Sequence, residues 1–197
     1  MDGRPLARGV ESRQRFSRIF SLGDRKNPSS WTPGIVLGMN DPELPISIAP
    51  FRSKRTSTSI PASISISTRG NFCFPFDTPD TWTSMEGLVL PPSLAESDSG
   101  IFSEGDEVLL VSWQSLHHDT KLNDKNLEPS IVVLVDSPQL VKNQGLLIDA
   151  IDTIRIKFPS SLIWAPGIAG PDNCALLTWL GIDLFDLSRS RSASAIG

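Results

Sequence analysis

Between Ile131 and Asp186 the chain passes from apolar run to amphipathic stretch and back, twice, with short connections. Ile131-Val132-Val133-Leu134-Val135 is a continuous apolar run, as expected of a strand covered on both faces. Asp136-Ser137-Pro138 follows, a helix start with proline in the first turn. Leu140, Leu147, Ile151 and Ile154 then mark an amphipathic helix ending near Lys157. Leu162-Ile163-Trp164-Ala165 is the next strand and Pro166 to Gly170 a Gly/Pro loop. Pro171-Asp172 opens a second helix with Ala175, Leu176, Trp179 and Leu180 as its apolar positions, closed by Gly181. Ile182 to Phe185 is a third strand. Strand, helix, strand, helix, strand with short loops restricts this region to a parallel α/β sheet or barrel.

The N-terminal part has a different texture. Residues 1–30 are polar and Arg-rich, interrupted most densely by Phe16, Ile19, Phe20 and Leu22, and suggest a short helix or a loose basic arm. Gly34 to Met39 and Ile46 to Ala49 are short apolar runs bounded by Pro and Asp, which is strand punctuation. Ser57 to Ser67 alternates Ser/Thr with Ile, the period of a half-buried strand. A small antiparallel sheet or hairpins is the expectation here. Leu88-Val89-Leu90 and Val108 to Val111 are further strand candidates, and His117 to Pro129 is a polar connector.

Composition is globular, with 39% hydrophobic and 20% charged residues. No apolar run has the length of a membrane span, and no N-terminal apolar stretch suggests a secretory signal, so a cytoplasmic location without membrane partners is expected. The net charge of −4 is uneven. Residues 1–70 hold eleven Lys/Arg against five acids, +6, and the remainder carries −10. A basic end on an acidic chain either holds phosphates or is a solvated tail. Cys73 and Cys174 are far apart and outside any metal-ligand spacing, so no metal site is expected in this chain. His117 and His118 suggest exposed loop residues, with Asp119 the only nearby partner for a metal.

In parallel α/β folds ligands bind at the carboxyl ends of the strands. That selects Asp136-Ser137, Ala165 to Gly170, and Asp186-Leu187-Ser188. Glycines let backbone amides approach a flat ligand. A strand-end carboxylate such as Asp186 serves as nucleophile, as acid/base, or only as a cap for the next helix.

The string Pro166-Gly167-Ile168-Ala169-Gly170-Pro171-Asp172, a helix, and then Leu180-Gly181-Ile182-Asp183-Leu184-Phe185-Asp186 resembles a corner of the tRNA-guanine transglycosylases. There a glycine-rich loop and a helix precede a Gly-x-Asp-x-Phe-Asp string. With Leu162 to Ala165, Asn173 and Ala175-Leu176-Leu177, it is most similar to the transglycosylase-like domain of archaeosine synthase. Asp136-Ser137-Pro138 and its helix fit as well. The resemblance covers the C-terminal third of the chain. It implies a (β/α)8 TIM barrel that binds tRNA and a 7-deazaguanine base in archaeosine- or queuosine-type tRNA modification. In active relatives the last Asp of the motif attacks the ribose and holds a covalent RNA intermediate, a role that carries to Asp186. A second Asp, in an Asp-Ser-Gly-x-Phe motif, carries to Asp98 of Asp98-Ser99-Gly100-Ile101-Phe102. The resemblance further implies base contacts at Pro166, Gly167, Ile168, Ala169 and Gly170, and RNA contacts at Arg189 and Arg191.

Departures narrow this. A whole barrel takes about 250 residues, and the part before Asp186 is too short for a full set of βα units. The family's zinc ligands and its RNA-binding module have no counterpart here, so no cofactor is expected in this chain, and a second chain carrying both is an expected partner. The resulting expectation is an incomplete or degenerate (β/α)8 barrel over 31–197, with a β-rich N-terminal segment and a basic arm over 1–30. Its function is recognition of tRNA and modified base. The alternatives are an active enzyme exchanging guanine through a covalent Asp intermediate, and a non-enzymatic tRNA- or partner-binding subunit or inactive fragment.

Overall fold

The computed structural model describes residues 8–24, 26–38, 41–55, 64–68, 108–124 and 127–196. Asp98, Cys73 and the Leu88-Val89-Leu90 run lie outside the described residues.

The parallel unit inferred from the C-terminal third is present. Strand β7 (Val108–Val111) leads to helix α1 (Trp113–His118), β8 (Ile131–Leu134) to α2 (Ser137–Leu140) and α3 (Leu146–Lys157), β9 (Leu162–Trp164) to α4 (Cys174–Leu180), and β10 (Leu184–Phe185) to α5 (Ser188–Ile196). The helix signals act where they stand. Pro138 lies in the first turn of α2. Gly181 closes α4 at φ 106°, a left-handed conformation that favours glycine. The Ser-rich end is helix α5.

Two N-terminal strands, β4 (Gly34–Leu37) and β5 (Phe51–Arg55), join this sheet rather than a separate antiparallel one. The order is β6-β5-β4-β10-β9-β8-β7, with β6 (Ile64–Thr68) antiparallel at the edge and the other six described strands parallel. The described strands of this sheet curl into half a barrel, where an incomplete or degenerate (β/α)8 barrel was expected. Leu184 pairs with Gly34 and with Trp164, so β10 bridges the early and late strands of the chain.

Alternation of side chains divides the core into two layers. One cluster joins Val36, Phe51, Ile131, Val133, Val135, Leu162, Trp164 and Leu184. The other carries the intervening residues Val132, Leu134, Ile163 and Phe185 against Leu140, Leu147, Ile151 and Ile154 of the helices.

The segment expected to be a short helix or loose arm is a hairpin. Strands β1 (Arg8–Gln14), β2 (Ser17–Asp24) and β3 (Asn27–Trp31) form an antiparallel sheet. Phe20 and Leu22 are the reason: both are buried in the same cluster as Trp164 and Leu184, which no helix of this polarity would require. Ile46 to Ala49 is a turn, not a strand, because the Pro45 carbonyl accepts from both Ile48 N and Ala49 N. Among the described residues no helix is long and apolar enough to cross a membrane.

Candidate functional site

The carboxyl ends of β8, β9 and β10 bring Asp136, the Pro166–Gly170 loop and Asp186 to one edge of the sheet. Asp186 directly follows β10 and is 5% exposed. Its two oxygens are both engaged: Oδ2 accepts from Gly167 N at 2.8 Å and Oδ1 from Ser188 N at 2.9 Å. The second bond closes a turn at the start of α5. The first ties the β10 end to the glycine loop, where Gly167 has φ 77°. The cap reading and the motif reading of Asp186 therefore meet in one carboxylate.

The loop is held from several sides. The Ser137 hydroxyl donates to the Pro166 carbonyl at 2.8 Å. Asn173 donates to the Ile168 carbonyl and accepts from Gly170 N. Ile168 and Ala169 are buried in the helix-side core. Of the five residues expected at the base, Ala169 and Gly170 line a cavity of about 380 Å³. Its wall also includes Ile35, Ile48, Cys174, Phe185 and Asp186. Pro166, Gly167 and Ile168 are absorbed in holding the loop.

Arg189 and Arg191, the residues expected at RNA, are each engaged in an ion pair. Arg189 pairs with Asp172 at 2.9 Å, and that guanidinium holds the Asp172 carboxyl below its ordinary value. Arg191 pairs with Asp41, whose side chain is fully buried and also accepts from Gly38 N. These pairs fix α5 to the α4 loop and to the segment after β4.

Asp136 was legible only as a strand-end acid. The structure adds that it is 7% exposed and that only one oxygen is paired, Oδ2 accepting from Trp113 N at 2.9 Å. Oδ1 is buried without a partner, and so is Nε1 of Trp164 at the end of the neighbouring strand. Burial pushes the Asp136 carboxyl above its ordinary value of 3.8, against the pull of the Trp113 amide. A raised native-state value means that this group favours folding most when protonated, and that the contribution fades as pH rises through the native value. Asp136→Asn is accordingly expected to stabilise the fold at pH 7, with the gain shrinking as pH falls towards 3.8. Urea unfolding at a series of pH values checks this; a pH-independent difference would refute it.

His117 is not a metal partner of Asp119. Its Nδ1 donates to the Trp113 carbonyl at 2.7 Å and its ring stacks on Trp113. Its Nε2 faces Asp149 on α3 at 3.1 Å. Among the described residues no three His, Cys, Asp or Glu side chains gather as a metal site would need.

Sequence reasoning missed the buried ion pair at the opposite end of the strands. Arg155 of α3 donates to the carbonyls of Ser161 and Gly181 and to Asp183 Oδ2, the last at 2.5 Å. Asp183 also accepts from Ile163 N at 2.8 Å. An arginine on the buried face of an apolar-striped helix was the available signal. No family model, curated protein or solved structure matches this chain.

Proposed function

We propose that the chain is a transglycosylase-like domain of 7-deazaguanine tRNA modification that recognises the base and its tRNA without exchanging the base. The observation that carries this reading is the state of Asp186. The Gly167 amide and the Ser188 amide occupy its two oxygens. Each oxygen spends one of its two lone pairs in this way, which ties the carboxylate to the loop and to the start of α5, as a positioning group is tied. The unpartnered Asp136 Oδ1 supports a ligand at the same end of the strands. A guanine-like base offers N–H donors on its edge, and a buried acceptor without a donor is what such an edge satisfies.

The test has two arms. Calorimetric titration of the whole chain with a 7-deazaguanine base is expected to show binding that weakens about tenfold in Asp136→Ala, the loss of one hydrogen bond to a charged group. Incubation with tRNA followed by a denaturing gel is expected to show no covalent adduct. An adduct that forms with the wild type and disappears in Asp186→Ala would replace this reading with the base-exchanging one. Absence of both base binding and tRNA binding would leave the domain outside this chemistry altogether.

A further inference from the structure

The opposite end of the molecule carries a second cavity, of about 360 Å³, between the β1–β2 hairpin and the end of α3. It is lined by Arg13, Phe16, Arg18, Asp152, Arg155, Ile156 and Pro159. Three guanidinium groups meet there. Asp152 is the one acid in its wall, and Asp183 lies behind, bonded to Arg155.

The hydrogen bonding of these arginines is incomplete in a specific way. Arg155 spends its two terminal nitrogens on Ser161, Gly181 and Asp183. Arg18 donates one terminal nitrogen to the Pro159 carbonyl. The Nε–H groups of both are buried with no acceptor. An unsatisfied buried donor on a charged group costs more than one on a neutral group, and two on side chains that line one cavity need an explanation. Arg13 donates Nε to the Arg15 carbonyl at 3.2 Å, so its terminal nitrogens stay available at the rim. The surroundings confirm an excess of positive charge. Arg18 is pushed down to about 10, first by burial and then by repulsion from Arg155, with Asp183 opposing and Arg13 adding to the repulsion.

We infer that this cavity is an anion site that takes a phosphate group, held by Arg13, Arg18 and Arg155. A tetrahedral oxyanion has enough acceptor oxygens to meet both orphaned Nε–H groups and Arg13 at once. It also relieves the mutual repulsion of the three cations. The hairpin supplies two of these arginines, so the pairing of β1 with β2 builds the site. The inference rests on these residues alone and stands or falls separately from the reading of the carboxyl end.

The experiment is a calorimetric titration of the whole chain with inorganic phosphate, chloride holding ionic strength constant. Saturable binding is expected in the wild type. Arg13→Gln, a change at the exposed rim, is expected to weaken it several-fold. Arg18→Gln is expected to weaken it about tenfold or more, the effect of removing a charge-assisted hydrogen bond. Should Arg18→Gln fold poorly, Arg13→Gln decides. Absence of saturable binding, or binding unchanged in Arg13→Gln, would overturn the proposal. A competing arm identifies the source of the phosphate. If a short RNA displaces inorganic phosphate, and its log Kd against log salt loses about one unit of slope in Arg13→Gln, the group is a backbone phosphodiester. If RNA leaves phosphate bound, the ligand is a small phosphate.

Discussion

Asp183→Leu is expected to lower the free energy of unfolding by about 3–5 kcal/mol, the usual effect of removing one partner from a buried ion pair. Asp183 is 1% exposed and the Arg155 side chain 6%. Without the carboxylate, the buried Arg155 charge keeps the Ser161 and Gly181 carbonyls but loses its ion-pair partner, and Ile163 N loses its acceptor. Asp183→Asn keeps an acceptor oxygen in place and is expected to cost less. Burial raises the Asp183 carboxyl above its ordinary value even though Arg155 pulls the other way. The pair is thus a costly way to hold the fold, and Arg155→Met with Asp183→Leu should recover much of the loss. Urea unfolding of the two single variants and the double one, combined as a cycle, measures the coupling. Single variants within 1 kcal/mol of wild type would show that the pair does not organise this end of the sheet.

Trp164→Ala is expected to cost about 3–5 kcal/mol, because it empties the middle of the strand-face core. Trp164 is 2% exposed and shares its cluster with residues of β2, β4, β5, β8 and β10. Trp164→Phe is expected to cost less than about 1.5 kcal/mol. It keeps most of the aromatic volume and deletes an indole N–H that has no acceptor. Thermal unfolding of both variants distinguishes packing from hydrogen bonding at this position. Equal losses in the two would mean that the N–H is paired in solution.

The parts of the fold legible in the sequence are those whose causes are local. The apolar run at Ile131, the proline after Asp136 and the glycine after Leu180 each act within a few residues, though the one helix expected after Asp136 breaks after Leu140 and resumes at Leu146. What escaped depends on distant partners. β4 resembles a hairpin strand because nothing near Gly34 announces that Leu184 will pair with it, and β5 falls between the segments read as strands. The Arg8–Asp24 hairpin was hidden because its polar and apolar residues do not alternate cleanly, with Val10, Phe16 and Ile19 exposed and Ser21 buried beside Phe20 and Leu22. At the candidate site the acid at Asp186 and the glycines at 167 and 170 were identifiable by type and spacing. Their bonding was not, since a cap and a nucleophile use the same residue at the same place. Arg189 and Arg191 show the same limit, their partners Asp172 and Asp41 being set by the fold.

The position of β10 between β4 and β9 has a consequence for synthesis. On the ribosome, β4 and β5 emerge early, and β7, β8 and β9 follow, yet neither group has its neighbour in the sheet until Leu184 and Phe185 have left the exit tunnel. Long-range parallel pairings of this kind close late and slowly. Until then the nascent chain presents two open sheet edges, the sort of surface that chaperones cover and that neighbouring chains can pair with. Two paired residues, Leu184 and Phe185, thus decide when β4 gains its second neighbour in the sheet.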